Sequence, residues 1–356
     1  MTTLVLTNRN RDLRIVKNCL NSLNLQSSKD FNVILVDYGS EAFFANPLQE
    51  LVRNYSFITL VTCPVQGQLW NKARAINIAL KQTKTQYFIV GDIDLIFHPN
   101  FIEKALQLAN ENKVIYFQYG FMSKEETLFD KSFEEYEVDF LGNDEVTGTT
   151  LFPTDKLKQV NGYDEFYNGW GAEDTDIHFR LINLGLKIEF IDSQVLVKHQ
   201  WHPKAYRSKA STSPFHTKLE KINHFYLQIT NTTKRTIANI NFEWGKMPLK
   251  EDYEKLKNVP DYLIKIDATD YKVAAALAQL NNFNSELVSI HINETPKKVK
   301  YKNYLKKILG KKHHSYFSME TINILFLEEI IKNYRNLPYH YSFDREKNEI
   351  KILIQF

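Results

Sequence analysis

Short apolar runs alternate with amphipathic segments through the first 120 residues. The runs are rich in β-branched and aromatic side chains, which is typical of buried strands. Between them, apolar residues recur every three or four positions, as they do on one face of a helix. Alternation of this kind predicts a parallel sheet with helices on both faces. The predicted strands are Thr3–Thr7, Asn32–Asp37, Phe57–Thr62, Tyr87–Asp92 and Val114–Tyr119.

The pattern changes after residue 120. Residues 123–144 are rich in acids and aromatics and show little periodicity, so they are predicted to form mobile loops. Regular patterns then return in a short strand, a helix that Gly185 ends, and two further strands. These segments are Gly148–Leu151, about Glu173 to Leu184, Leu186–Asp192 and Val195–His199.

A charged stretch punctuated by prolines, residues 246–260, predicts a domain boundary. Beyond it, the runs YLIKID, LVSIHIN and NEIKILIQF alternate with helical patterns, as in a small α/β domain. We therefore expect a large first domain, residues 1–245, and a small α/β appendage, residues 246–356.

Composition narrows the class of protein. The chain has 356 residues, of which 43% are hydrophobic and 24% charged, and such proportions are ordinary for a soluble globular protein. A net charge of +3 gives no strong field for nucleic acid, and two cysteines exclude a disulfide framework or a cysteine-based zinc site. No apolar run approaches the roughly 20 residues that cross a bilayer, and the first residues are too polar for a signal peptide. A cytoplasmic protein is expected.

Two acids follow the fourth predicted strand in the sequence GDID, Gly91–Asp94. Ligands of parallel sheets bind at the carboxyl ends of strands. Asp92 and Asp94 at such an end could hold a divalent ion that bridges a diphosphate, because these ions prefer hard oxygen ligands. The alternative is that these acids only form a turn or a cap.

The most informative stretch is NGYDEFYNGWGAEDTDIHFRL, Asn161–Leu181. Glycines on both sides of Trp170 suit a backbone that approaches a ligand, with the indole as a stacking platform. Three acids follow, and the helix dipole by itself accounts for Glu173 and Asp176 in a first turn. Capping does not account for the Trp–Gly arrangement or for the density of acids around Asp174, so a functional site is favoured.

Two histidines, His199 and His202, end a predicted strand. Their spacing would suit zinc, but no further histidine or cysteine at metal spacing accompanies them. Either both are exposed loop residues, or one of them completes a site for a divalent metal ion whose other ligands are aspartates.

Four segments, in this order, resemble the β-1,4-galactosyltransferase type of GT-A glycosyltransferase, including bacterial chondroitin-synthase-like enzymes. TNRNR, Thr7–Arg11, resembles the family's P-F-R-N-R, and WNKARAIN, Trp70–Asn77, resembles its F-N-R-A-K-x-x-N. GDID resembles D-V-D, and NGYDEFYNGWGAEDTD resembles N-G-F…G-W-G-G-E-D-D-D. The resemblance covers about residues 1–205 and implies a GT-A fold, which is Rossmann-like with a mostly parallel sheet.

The resemblance implies an inverting, metal-dependent transfer from UDP-galactose or UDP-N-acetylgalactosamine to a glycan or lipid-linked glycan. It implies that Asp94 and His199 bind Mn2+ or Mg2+. The family places a methionine where this chain has Leu196, an arginine at Lys72 and a glycine at Ala172. The donor-binding residues that it implies are Thr7, Arg9, Arg11, Asp37, Lys72 and Asp92.

Asp174 is implied to be the general base, Glu173 to hold acceptor hydroxyls, and Trp170 to stack on the acceptor sugar. The absence of the signal anchor of Golgi relatives favours a role in bacterial surface polysaccharide synthesis. A non-catalytic carbohydrate-binding protein on this fold is the alternative, although it would be expected to lose acids that are present here. A nucleotidyltransferase or a dehydrogenase would need a glycine-rich loop where TNRNRD stands.

The appendage contains a basic segment, residues 297–312, with eight lysines and no acid. Its apolar residues follow helical spacing and form one stripe opposite the lysines. Such a helix could lie on an anionic membrane, on the inner face of the plasma membrane, or it could pack on its own domain with solvated lysines. The stripe consists of Tyr301, Tyr304, Leu305, Ile308 and Leu309.

Overall fold

A computed structural model of the chain describes residues 1–203 and 214–356. These residues form two compact units. The first contains Met1–Cys63, Trp70–Pro203 and Glu220–Met247, and the second contains Pro64–Leu69 and Pro248–Phe356 with the described residues that precede Glu220. The division into two domains at residue 246 stays a prediction.

The first unit consists of two sheets and seven helices among the described residues. Its strands are β1 (Thr2–Asn8), β2 (Phe31–Tyr38), β3 (Ile58–Cys63), β4 (Tyr87–Asp92), β5 (Leu95–Phe97), β6 (Lys113–Phe117), β7 (Tyr119–Phe121), β8 (Phe140–Leu141), β9 (Thr150–Pro153), β10 (Lys187–Ile191) and β11 (Val197–His199). Its helices are α1 (Leu13–Asn24), α2 (Ala42–Val52), α3 (Lys72–Gln82), α4 (Phe101–Leu108), α5 (Thr154–Gln159), α6 (Glu173–Asn183) and α7 (Leu219–Thr233).

The large sheet has the order β10-β6-β9-β4-β1-β2-β3, and the small one has the order β5-β11-β7-β8. All pairs in the large sheet are parallel except those of β9, which runs antiparallel to both neighbours. On one face, Leu4 and Leu6 share a core with α1, α2 and α4. On the other face, α3 contacts β1 and β2 with a separate set of buried residues that includes Ile76. The predicted α/β class, mostly parallel with helices on both faces, is confirmed.

Local sequence explains where the key helices begin and end. The carboxylate of Asp12 accepts a hydrogen bond from the amide of Arg14 at the start of α1, and the Asn71 side chain does the same for the amide of Arg74 at the start of α3. Helix α6 is followed by Gly185 at φ 100°, a left-handed backbone that glycine adopts at low cost. The predicted helix from Glu173 is therefore found, with its end one residue earlier.

Residues 123–144 lie mostly outside helices and strands, as the predicted loops require, and their mobility stays a prediction. This segment contains β8 and a 3-10 turn, Glu126–Leu128, and its Phe133 and Tyr136 are buried against Ile96 and Met122. This burial comes from contacts that are distant in sequence, which local periodicity does not report. Helix α2 was also not predicted, and β9 and β11 each begin two residues later than expected.

The second unit is a smaller α/β arrangement. Its sheet has the order β12-β13-β15-β14, with β12 and β13 parallel and the remaining pairs antiparallel. Its strands are β12 (Tyr262–Asp267), β13 (Leu287–Asn293), β14 (Tyr339–Asp344) and β15 (Glu349–Gln355), and its helices are α8 (Lys250–Glu254), α9 (Asp270–Gln279), α10 (Lys297–Ile308) and α11 (Met319–Glu329).

Helix α10 is the predicted basic helix, and it ends at Ile308 rather than at residue 312. It has no buried residue, and the choice between a helix on a membrane and a helix on its own domain with solvated lysines stays a prediction. Among the described residues, no helix is long and apolar enough to cross a membrane.

Candidate active site

Strand register brings the first predicted site residues to one edge of the large sheet. Thr7 of β1 is paired with Asp92 of β4, and Asn8 is paired with Asp37 of β2. Because β1, β2 and β4 are parallel, all three carboxyl ends lie at this edge, where α/β proteins bind ligands.

Asp37 is buried at that edge and tied to its neighbours. Its Oδ1 accepts hydrogen bonds from the Asn8 amide, at 2.8 Å, and from the Ser40 hydroxyl. Burial raises the pKa of Asp37, while these two bonds and the charge of Arg9 act in the opposite direction. The charge of Arg9 therefore acts on Asp37, and both residues are predicted to bind the donor.

Four charged side chains meet where α3 and α6 begin, and we call them the carboxylate cluster: Lys72, Asp92, Glu173 and Asp174. Lys72 Nζ lies 2.9 Å from Asp92 Oδ1, 3.0 Å from Asp174 Oδ2 and 3.9 Å from Glu173 Oε1. Three carboxylates thus share one cation. Their attraction raises the pKa of Lys72 well above its ordinary value, although burial alone would lower it.

The protonation of Asp174 is strongly perturbed. Burial raises the pKa of Asp174 to about 8, Lys72 opposes the shift, and the charges of Glu173 and Asp92 add to it. Its Oδ1 is buried and has no hydrogen-bond partner among the described residues. One oxygen is thus held by Lys72 while the other is available to take a proton.

A second group, which we call the histidine cluster, surrounds Asp94: Arg11, His199 and His202. Arg11 Nη2 and His202 Nε2 lie 3.0 and 3.1 Å from Asp94 Oδ2, and His199 Nε2 lies 3.6 Å from Oδ1. Asp94 Oδ1 is buried without a hydrogen-bond partner in the described structure. One ligand atom from each of Asp94, His199 and His202 lies within 4.8 Å of the other two.

The electrostatics of the histidine cluster suit a cation. Burial alone would raise the pKa of Asp94, but His199, His202 and Arg11 together hold it below its ordinary value. Burial lowers the pKa of His199, which favours the neutral imidazole that ligates metals. One carboxylate and two imidazoles form a donor set that binds first-row divalent ions, so these residues fit a metal site.

The turn before α6 has an unusual backbone. Gly171 and Ala172 have φ values of 97° and 76°, in the left-handed region. The Asn223 amide donates to the carbonyl oxygen of Trp170 at 3.2 Å and so holds the turn to α7. The side chain of Trp170 is 49% exposed, as a stacking platform requires.

Two residues that bear on the site carried no predicted role. His202 lies in the histidine cluster, and its spacing from His199 was visible in the sequence, but that spacing did not identify a partner. Gly148 stands so close to the carboxylate cluster that a Cβ there would lie 3.0 Å from Asp92 Oδ2 and 2.7 Å from the Tyr119 hydroxyl. Leu196 is buried in the hydrophobic core of the first unit.

Comparison with known families agrees with this arrangement. Residues 3–160 match the model for glycosyl transferase family 2, and residues 127–202 match the model described as the N-terminal domain of galactosyltransferase. Together the matches span residues 3–202, which include both clusters. The predicted resemblance to glycosyltransferases is confirmed over these residues.

Individual relatives are distant. Mouse (Mus musculus) chondroitin sulfate synthase 3 is 24% identical over 164 residues, which are 44% of this chain and 18% of the relative. The chain thus matches less than a fifth of the length of that curated protein. S. aureus TarS in complex with UDP is 13% identical with a TM-score of 0.48, over 94% of this chain and 91% of that one. A Pyrobaculum calidifontis mannosyltransferase in complex with GDP-Man and Mn2+ is 13% identical with a TM-score of 0.43, over 94% and 86%.

Proposed function

We propose that this protein is a metal-dependent, inverting glycosyltransferase. It moves a galactose- or N-acetylgalactosamine-type sugar from a UDP-sugar to a glycan or lipid-linked glycan, in the synthesis of a bacterial surface polysaccharide. The observation that carries the proposal is the pairing of two clusters in the first unit. One holds a buried carboxylate oxygen without a partner, at Asp174, and the other offers a ready set of metal ligands.

The donor is bound at the carboxyl edge of the large sheet. Arg9 and Arg11 bind the diphosphate, because the guanidinium fork matches phosphate oxygens. Asp37 and Asp92 contact the base and the ribose, and Thr7 lies at the end of β1 beside them. Lys72, which lies within 4 Å of three carboxylates, is a further positive charge at this edge for the diphosphate.

Asp94, His199 and His202 would hold Mn2+ or Mg2+. When bound, the ion neutralises negative charge on the departing diphosphate. His202 replaces the methionine that the family resemblance places at position 196. The residue at that position, Leu196, has no ligating atom and is buried in the core. The chain therefore draws its third ligand from the residues after His199 rather than from those before it.

Transfer is a single displacement. The oxygen of an acceptor hydroxyl attacks the anomeric carbon, the bond from that carbon to the diphosphate oxygen breaks, and UDP departs. Asp174 Oδ1 takes the hydroxyl proton as the new bond forms. Lys72 fixes the other oxygen of Asp174 at 3.0 Å and so orients the base. Trp170 stacks on the acceptor sugar, and Glu173 binds its hydroxyls.

Calorimetric titration of UDP, with and without Mn2+, tests the donor site. We expect binding that strengthens with Mn2+ and loses this enhancement in Asp94→Ala. Glu111→Ala is the matched control, because it removes an exposed carboxylate just before β6, at the opposite edge of the sheet. Failure of the wild-type protein to bind UDP under either condition would contradict the proposal.

Titration of Mn2+ alone, without nucleotide, tests the ligand set. Loss of His202 or of His199 should weaken Mn2+ binding at least tenfold, since even outer-shell partners of a metal contribute 10–100-fold to affinity. His313→Ala removes an exposed histidine of the second unit and should change nothing. Unchanged Mn2+ affinity in His202→Ala would remove His202 from the site and leave the donor proposal in place.

A further inference from the structure

Helix α10 presents its apolar stripe to solvent. Tyr301, Tyr304 and Ile308 are 63%, 58% and 63% exposed, and Leu309, just beyond the helix, is 66% exposed. Leu305 between them is 40% exposed. Large apolar side chains grouped on one face at this level of exposure are typical of a surface that binds a partner or a membrane.

The side of the helix that faces its own unit is polar. Asn303 exchanges two hydrogen bonds with the backbone of His314, at 2.6 and 2.8 Å, and Lys300 lies 2.9 Å from Glu294. These two helix positions are the only ones of intermediate exposure, and the others are exposed. With 100° of rotation per residue, Asn303 lies about 140–160° around the helix from Ile308 and Tyr301, and Lys300 lies between Asn303 and the border of the stripe. The second unit therefore contacts α10 through Asn303 and Lys300, and the apolar stripe faces solvent.

Lysines lie on both sides of the stripe. At 100° per residue, Lys298, Lys302 and Lys306 fall on one side, and Lys300 and Lys307 fall on the other. Of these five, only Lys300 has an ion pair among the described residues. An apolar face with lysines along both borders is the arrangement of helices that lie at a membrane surface, where the long lysine stems let the charged ends reach the headgroups.

Charge is also separated within the second unit. Residues 297–312 hold eight lysines and no acid, whereas the rest of residues 250–356 holds ten basic and 14 acidic side chains. An anionic surface would thus attract this segment and repel the remainder of the unit. The same charge opposes pairing with a second copy through α10, because two sets of six helix lysines would meet.

We propose that α10 docks in the plane of an anionic lipid bilayer. Its 12 residues span about 18 Å, too short for the roughly 30 Å hydrocarbon core, so the helix lies on the bilayer rather than across it. Tyr301 and Tyr304 sit at headgroup level, where amphipathic rings are favoured. Ile308 and Leu309 enter the acyl boundary, and the lysines contact anionic headgroups. This docking does not depend on the active-site assignment.

Co-sedimentation of the full chain with phosphatidylcholine vesicles, with and without 30 mol% phosphatidylglycerol (about a third anionic lipid, enough for a strongly negative surface), tests this proposal. We expect at least tenfold stronger binding to the anionic vesicles. Ile308→Ser with Leu309→Ser should lower that binding at least tenfold, and Lys302→Glu with Lys306→Glu should do the same. All four residues are exposed, so folding should persist, as circular dichroism would show.

Control variants make the same kinds of substitution at exposed residues outside α10. Val259→Ser with Ile240→Ser removes two apolar side chains that are 88% and 76% exposed elsewhere, and should leave vesicle binding unchanged. Lys250→Glu with Lys347→Glu repeats the charge change outside α10. No binding to anionic vesicles would overturn the proposal. Binding that survives the Ile308 and Leu309 changes, or that a soluble polyanion such as heparin reproduces, would also overturn it, because it would show a site for polyanions.

Discussion

Asp94 and Asp174 are two carboxylates of one compact unit, with side chains only 6% and 15% exposed, and their surroundings drive their protonation in opposite directions. Three groups that can carry positive charge surround Asp94 and hold its pKa below the ordinary value. Asp174 shares a single lysine with two other carboxylates, and burial raises its pKa to about 8.

This difference supports the proposal that Asp94 binds a metal ion and that Asp174 is the base. A carboxylate that stays ionised at every working pH suits a cation, whereas one with a raised pKa can take a proton from a hydroxyl. Desolvation acts on both side chains, so the number of neighbouring positive charges decides the outcome.

Asp174→Asn should have the largest effect. We expect transfer to fall by about 10^3-fold, within the 10^2–10^4-fold that a general base contributes, because an amide cannot accept the hydroxyl proton. UDP binding should stay within threefold of wild type, whereas Asp94→Ala should lower both transfer and the UDP binding measured with Mn2+. Steady-state transfer assays and UDP titration check both. Turnover within tenfold of wild type would remove Asp174 from the role of base.

Lys72→Met should have the next largest effect, on stability. It leaves Asp92, Glu173 and Asp174 without their shared cation, and loss of one partner from a buried ion pair costs roughly 3–5 kcal/mol. We expect about 2–3 kcal/mol, because the Asp92 side chain is 29% exposed and keeps some solvation.

Denaturant unfolding at pH 7 measures that loss. Lys72→Arg keeps the positive charge and should recover most of the stability, and Lys84→Met, at an exposed lysine, serves as the control for the substitution itself. A loss below 0.5 kcal/mol in Lys72→Met, which is the range of ordinary surface changes, would show that the three carboxylates do not depend on this cation.

The pH profile of transfer should follow the raised pKa of Asp174. Only the carboxylate accepts a proton, so kcat/KM should rise by up to tenfold per pH unit below about 8 and level off above it. Lys72 lowers this pKa, so Lys72→Met should shift the rise to higher pH. A profile of kcat/KM that is already level from pH 6 would contradict the assignment of Asp174 as the base.

Ala172→Gly should have the smallest effect. Ala172 precedes α6 with φ 76°, a left-handed conformation that costs a residue with a Cβ roughly 1 kcal/mol more than glycine. We expect the variant to be more stable by about 0.5 kcal/mol, because a more flexible unfolded chain offsets part of the relief. Thermal unfolding measures it, with Ala109→Gly, at a residue with negative φ, as the control. A loss of stability equal to that of the control would show no strain at Ala172.

Much of the first unit was predictable because its signals are local. The apolar runs of β1 to β4 and the caps at Asn71 and Gly185 lie within a few residues of what they define. Asp92, Asp94 and the acids at the start of α6 were likewise recognisable, because ligands often bind at strand ends and helix starts. The burial of Phe133 and Tyr136 was not predictable, because these residues pack against Ile96 and Met122, and Ile96 lies far away in the chain.

By itself, the sequence determined the element types of the large sheet, the candidate acids and the basic amphipathic character of residues 297–312, because each depends on spacing along the chain. Tertiary contacts alone place β9 antiparallel between β4 and β6, bring His202 beside His199 at Asp94, and give three carboxylates one shared lysine. The tertiary structure also decided that the stripe of α10 faces solvent. These outcomes depend on which distant residues become neighbours, and pKa values and exposure are properties of neighbours rather than of sequence.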